Sequence, residues 1–193
     1  MARWEPDGRE RLVLAALDLF AEQGYDATTV AEIASRAGLT KSTFFRHFSD
    51  KREVLVAGQE TLSRLLSEGI EAAPADAKPL DAVAEGLRRV SEAMTPFNRE
   101  IGPRLHAVVA ANQELQERNA LKSVGMAEAM AEALRRRGTP DVAAQLAAEL
   151  GVLAFKIGYG QWADPAHDSD PGELATYALA ALAELRAASA ILG

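Results

Sequence analysis

Residues 38–51, GLTKSTFFRHFSDK, gather Lys41, Arg46, His47 and Lys51 around one acid, Asp50. Phe44, Phe45 and Phe48 crowd the same stretch, half of the chain's six phenylalanines. On a helix, positions four apart share a face. Phe44 and Phe48 therefore point one way, while Lys41, Ser42, Phe45 and Arg46 point the other. Lysine and arginine on such a face reach phosphate oxygens or the O6 and N7 of guanine, and an apolar group can meet a thymine methyl. The stretch thus has one face to bury and one face suited to a polyanion. The alternative is a plain solvated charged face.

The elements that would position this helix are legible from their ends. Asp7 with Glu10 and Thr29 with Glu32 have capping-box spacing, and Thr40 can cap the short helix itself. Leu12, Ala16, Leu19 and Phe20 form an apolar stripe that Gly24 ends, and Ile33, Ala34 and Ala37 form a second that Gly38 ends. Two short helices joined by a glycine-containing turn have the helix-turn-helix layout, whose second helix enters the major groove. Asp50 with Glu53 opens a fourth helix over 51–72, and 71–79 reads as a connector. Further helices are expected from Pro79 to near Pro96, after a break at Gly102-Pro103 to Gln116, from Asn119 to Arg137, from a Thr139-Pro140 cap to Trp162, and from Asp170-Pro171 to Leu192.

The 193 residues are 48% hydrophobic but only 6% aromatic, with few strand formers, which predicts an all-α chain of about nine helices. Cysteine is absent, so thiolate chemistry and disulfides are excluded. His47, His106 and His167 fall on different elements without metal-ligand spacing, and no glycine-rich phosphate loop follows a strand. Neither an enzyme nor a cofactor is expected. No signal-type segment or uninterrupted apolar run of bilayer length stands out, so the expectation is a cytoplasmic protein with no membrane partner. The net charge is −7, yet Arg36 to Arg52 holds five cations against Asp50. A cationic patch on an acidic body suits local contact with a polyanion.

Residues 12–55, LVLAALDLFAEQGYDATTVAEIASRAGLTKSTFFRHFSDKREVL, resemble the N-terminal domain of TetR-family transcriptional regulators. The likeness spans about 9–56 and rests on ALDLFAEQGYDATTV, IASRAGL, STFFRHF and the DK before VL. TFFRHFSDK and the later GQW are similar to an actinobacterial, mycofactocin-type branch. The resemblance implies a three-helix helix-turn-helix DNA-binding domain over 1–50. A helical ligand-binding and dimerisation domain over 51–193 would follow, with 51–72 as the lever between them. It implies Thr29 and Val30 near phosphate, Thr40, Lys41, Ser42, Thr43, Phe45, Arg46 and His47 on the recognition helix, and Lys51 on phosphate. Phe45 stands where tyrosine is usual, and Ala31 where some members carry a base-reading arginine. The implied partners are a double-stranded operator, a second copy of the chain and a small-molecule effector. A helical DNA-binding architectural dimer without an effector pocket is the alternative.

In the second part, Ala143, Ala147, Leu150, Ala154 and Ile157 make one stripe and Leu174, Ala178, Leu182 and Leu185 another. Small residues let helices approach closely, either in a dimer's four-helix bundle, as the resemblance implies, or in the chain's own core. Met94, Phe97, Leu105, His106, Val109, Asn112, Gln113, Met126, Met130, Phe155, Tyr159 and Trp162 have the character of a small-molecule pocket, apolar with a few polar groups. Residues of these types at helical spacing also build ordinary core.

Overall fold

A computed structural model of the chain describes residues 7–56, 59–166 and 173–191. Every regular element among them is an α-helix: α1 Gly8–Gln23, α2 Val30–Arg36, α3 Lys41–His47, α4 Glu53–Val56, α5 Gln59–Ala72, α6 Pro79–Ser91, α7 Pro96–Ala110, α8 Gln113–Arg136, α9 Asp141–Ala163 and α10 Leu174–Ile191. The chain forms two compact units. One holds residues up to 57 with 103–119, and the other holds 58–102 with 120–193.

The first unit is built by caps and turns. Asp7 and Thr29 each accept from the backbone of the glutamate three residues on, which reaches back to the cap, so both capping boxes form. Leu12, Ala16, Leu19 and Phe20 are buried on α1. After α2, the Leu39 N–H bonds to Ala34 O at 2.8 Å and the Gly38 N–H to Ser35 O at 3.0 Å. This pair of bonds needs a left-handed residue, and Gly38 has φ +66°. The Thr40 hydroxyl then accepts from the Thr43 N–H at 3.1 Å and starts α3. Asp50 accepts the Glu53 N–H at 2.9 Å and starts α4. Residues 57–58, on the path of the expected helix 51–72, lie outside the described residues, as do His167 and the Asp170-Pro171 cap.

The second unit has one hydrophobic cluster drawn from α5, α6, α8, α9 and α10. α6 opens on Pro79, whose missing N–H costs nothing at a helix start. α9 and α10 are long and apolar enough to span a membrane by length and composition, contrary to expectation, but they pack on each other here and on α6. Gly158 is the reason they approach so closely: a Cβ there would lie 2.5 Å from the backbone N and Cα of Ala178.

Three expectations are corrected. Pro103 lies inside α7, so Gly102-Pro103 does not break the helix. A Cβ on Gly102 would lie 2.8 Å from the Ala163 Cβ, so that glycine serves a close approach. Thr139 does not cap α9; the cap position is Pro140, with no side-chain bond. Ala147, Ala154, Leu174, Ala178 and Leu182, expected at a dimer interface, are buried in the chain's own core, while Ala143 is exposed and Leu185 half-buried. Small residues at helical spacing record close packing but not which helix supplies it.

Replacing Gly158 by leucine should force α9 and α10 apart and lower stability by about 1–3 kcal/mol, the usual cost of overpacking. Gly160 has nothing within 4 Å of an added Cβ. Gly160→Ala should therefore stabilise by about 0.5–1 kcal/mol through helix propensity. Denaturant unfolding of the two variants checks the contrast.

Candidate nucleic-acid interface

α3 divides its side chains as its periodicity requires. Phe44 and Phe48 are fully buried, with ring centroids 5.6 Å apart. Thr40, Lys41, Ser42, Arg46 and His47 are exposed, and Phe45 is 51% exposed. Burying two rings anchors a helix of seven residues, which is too short to be stable alone. The exposed Phe45 ring sets its edge against Phe44, with centroids 5.5 Å apart, so it is held in position while facing outward.

The hydroxyls are partly committed. The Thr29 hydroxyl donates to Glu32 at 2.7 Å, and Thr40 and Thr43 share a hydrogen bond of 2.9 Å. The Thr29 bond is the largest influence holding the Glu32 carboxyl below its ordinary range. Ser42 is exposed, and Val30 is half-buried at the first turn of α2.

The cations divide more sharply. Arg36 makes two bonds to Glu22, at 2.9 and 2.7 Å, and the hydrogen bond from Arg36 is the main cause lowering the Glu22 pKa. Arg52 bonds Asp50 at 2.8 Å and approaches Glu114 at 3.6 Å. Burial alone would raise the Asp50 pKa, but bonds from the Arg52 side chain and from the N–H groups of Glu53 and Arg52 outweigh it and hold the carboxyl low. Lys51 turns inward, contrary to its expected place on phosphate. Its Nζ donates to Tyr25 O at 2.7 Å, Thr28 O at 3.0 Å and Asp26 O at 3.3 Å. The same ammonium lies 4.3 Å from the centroid of the Tyr25 ring. Three donors meet three carbonyls, so none remains for DNA in this arrangement. Of the five cations in the patch, Lys41 and Arg46 alone are exposed and without a partner among the described residues.

Two supporting residues escaped the sequence reading. Arg11 donates to the Ala37 carbonyl at the end of α2, and the Arg9 guanidinium lies 5.4 Å from the centroid of the Phe48 ring. Nothing in their local sequence marks them, because each acts across more than twenty-five residues. The Tyr25 hydroxyl is buried without a hydrogen-bond partner among the described residues, and burial pushes its pKa up to about 12.

The expected pocket residues divide between the two units. Leu105, His106, Val109, Asn112 and Gln113 belong to the first unit. There His106 is exposed, Gln113 bonds Glu117 at 3.1 Å, and Asn112 caps α8 through the Leu115 N–H at 3.1 Å. Met94, Phe97, Met126, Met130, Phe155, Tyr159 and Trp162 belong to the second unit. Phe155 stacks on Tyr159 with centroids 6.0 Å apart, and Tyr159 meets Trp162 at 5.8 Å. The Tyr159 hydroxyl donates to Asn98 O at 2.6 Å. Met126, Met130, Phe97, Phe155 and Trp162 are buried, and Met94 is half-buried.

Residues 12–57 match the model of the family described as bacterial regulatory proteins, tetR family. TcmR of Streptomyces glaucescens, an HTH-type transcriptional regulator, is 38% identical over 82 residues, which is 42% of this chain and 36% of that protein. Such matches cover from 18% to 42% of the relatives' own length. The whole fold is similar to NalD, described as the secondary repressor of the MexAB-OprM efflux pump in Pseudomonas aeruginosa. The TM-score is 0.55 at 22% identity, over 92% of this chain and 95% of that one. It is also similar to a SmeT–triclosan complex, with a TM-score of 0.53 at 25% identity over 95% and 91% of the two chains.

The geometry of Lys51 makes a direct test. Lys51→Met keeps the aliphatic stem but loses the charge-assisted bonds and the ring contact. It should cost about 2 kcal/mol of stability. Urea unfolding followed through the tyrosine and tryptophan signal measures the loss, and an unchanged midpoint would refute the carbonyl cradle.

Proposed function

We propose that the chain, whose residues 12–57 match the model of the tetR family of bacterial regulatory proteins, is a regulator of that family that binds a roughly palindromic operator as a homodimer and leaves it when a small, largely apolar effector binds. In this reading it is a transcriptional regulator and not an enzyme, as the tetR family match and the likeness to TcmR support. The observation that carries the reading is the outer face of α3, where Lys41, Ser42, Phe45, Arg46 and His47 are exposed above two buried rings. Lys41 and Arg46 are the groups free to meet bases or phosphate, with Ser42 and Phe45 beside them. Thr29, Val30, Thr40 and Thr43 flank the same surface and set its backbone. The proposed role is a cytoplasmic repressor.

The proposed division of labour is a reading domain over 1–50 and a sensing and dimerisation domain over 51–193, with 51–72 as the lever. α7 and α8 each begin in one compact unit and end in the other, so they too are covalent routes for a signal. The effector would lie in the second unit near Met94, Phe97, Met126, Met130, Phe155, Tyr159 and Trp162. That a fold relative is complexed with triclosan supports a small molecule in this role. The dimer would form through the outward side of α9, where Val142, Leu146 and Leu153 are 83%, 58% and 44% exposed. With Leu150 and Ile157 they make one helical stripe beside a cavity of about 340 Å³ that Val124 also lines. Exposed leucine and valine in a row favour a second copy of the chain.

Selection from random duplexes should enrich a motif with half-sites about one turn, ~34–36 Å, apart or modestly farther. Lys41→Ala should relax preference at one or two base pairs by about 1–3 kcal/mol and reduce the salt dependence of binding. Arg36→Ala should leave the salt dependence unchanged, because Glu22 already holds that charge. Failure to enrich any motif would remove the reading.

Leu153→Glu should split the dimer without unfolding the chain, since the side chain is exposed in a single copy. An unpaired carboxylate in an apolar interface costs several kcal/mol. Operator affinity should fall with it, because two linked readers gain from effective concentration. Light scattering at micromolar concentration reads the outcome, and a variant that stays dimeric would place the interface elsewhere.

A further inference from the structure

The chain has five lysines, and four have an evident place. Lys41, Lys78 and Lys156 are exposed, and Lys51 is held by the carbonyls of the turn after α1. Lys122 differs. It is half-buried on α8, and no hydrogen bond or ion pair joins it among the described residues. Burial lowers its pKa, and no carboxylate opposes that effect. In a chain with 28 acidic residues against 21 lysines and arginines, the missing counter-ion is notable, because most half-buried arginines here have one. A desolvated charge without a partner costs free energy.

The position along α8 gives that charge a context. Lys122, Met126 and Met130 follow one another at four-residue steps and share a face. Met126 and Met130 are buried in the core of the second unit, among the residues proposed to line the effector site. From Lys122 to Met130 is eight residues, about 12 Å along the axis. Methionine is the core side chain most able to change shape, since it is unbranched with three rotatable bonds. A cation without a counter-ion at one end of an adaptable apolar stripe is complementary to a molecule with an anionic head and an apolar body.

We infer that Lys122 is the anion-recognition group of the effector site, and that the effector is an amphipathic carboxylate whose body lies along the Met126–Met130 side of α8. The inference rests on the effector reading above and narrows it to a chemical class. One carboxylate on one ammonium, in partly dry surroundings, makes a charge-assisted hydrogen bond, which is about twice as strong as a neutral one. The apolar body supplies the remaining affinity by burial. An apolar span of about 12 Å suits a medium-length chain of about ten carbons or a fused aromatic of similar length.

The test uses the full chain, with decanoate and 1-decanol as matched probes below their aggregation limits. Wild type should bind decanoate about tenfold or more tightly than decanol by calorimetry, from the added charge-assisted bond. Lys122→Met should abolish that preference while still binding decanol, and Lys122→Arg should retain it. The ligand-free Lys122→Met protein should melt at a higher temperature than wild type, because an apolar side chain replaces an unpaired charge. A purely structural lysine would lower the melting temperature when removed. The inference is overturned if wild type binds both probes equally or neither, if the preference survives in Lys122→Met, or if that variant melts lower. Release of selected operator by decanol, as effectively as by decanoate, would sink the role of Lys122 and leave the effector reading standing. Release by neither, with operator binding intact, would count against both.

Discussion

The first unit is organised around one ammonium. The turn after α1 leaves the carbonyls of Tyr25, Asp26 and Thr28 pointing together, and the Lys51 Nζ closes them at 2.7, 3.3 and 3.0 Å. Lys51 precedes α4, so this contact ties the start of that helix to the entry of α2. The Tyr25 ring beneath the ammonium packs in turn on Phe20, with centroids 5.1 Å apart. Arg11 does the same for the far end of α2 through the Ala37 carbonyl. Together they fix both ends of a helix of seven residues, and the Gly38 turn then sets where α3 must go. Backbone carbonyls freed by tight turns need donors, and a long cation can serve several at once.

This use of cations changes what the charge count means. Five basic residues between Arg36 and Arg52 look like a surface for a polyanion. Three of them are committed within the protein, to Glu22, to Asp50 and Glu114, and to the turn carbonyls. Two remain, both on α3. A reader with few free charges leans less on counter-ion release and more on what it meets in the groove. On the proposed reading a net charge of −7 would favour selectivity: the acidic body would repel non-specific DNA, and the small basic face would have to fit to bind.

What was legible in the sequence was local. Asp7, Thr29 and Thr40 announce helix starts because a short side-chain oxygen at that position accepts an N–H group that the first helical turn leaves unpaired. Gly24, Gly38 and Gly138 announce turns, and all three have positive φ. Phe44 and Phe48 show their buried face through spacing alone. What failed depended on distance along the chain. Lys51 reads as an exposed phosphate ligand until the carbonyls twenty-three to twenty-six residues earlier come beside it. The alanine stripe of α9 reads as an interface, but the helix it meets is α10 of the same chain. Pro103 reads as a break, yet one lost backbone bond does not outweigh the packing of Gly102 against Tyr159 and Ala163. Periodicity gives the side of a helix that is buried and is silent on the partner.

The packed interior of the second unit sets the energetic terms of the proposed switch. Met126 and Met130 are fully buried with Phe155 and Trp162 nearby in the same cluster, so an effector must displace or reshape core side chains to enter. To take the chain from mostly DNA-competent to mostly incompetent, it must favour the second state by about 10⁴-fold, or about 5.5 kcal/mol. At ~25 cal/mol per Å² that corresponds to about 220 Å² of apolar surface buried in one state only. A molecule of moderate size supplies that area, but only if its site is closed in the DNA-bound form. A preformed cavity, equally open in both states, would bind tightly and shift nothing. An interior filled by methionine and aromatic rings is therefore the better starting point for a switch than an empty pocket. The same linkage requires operator DNA to weaken the effector by the factor with which the effector weakens the operator. In the proposed switch the tightness of the core would be part of the regulation, since the free energy of opening it would be the free energy the two ligands contest.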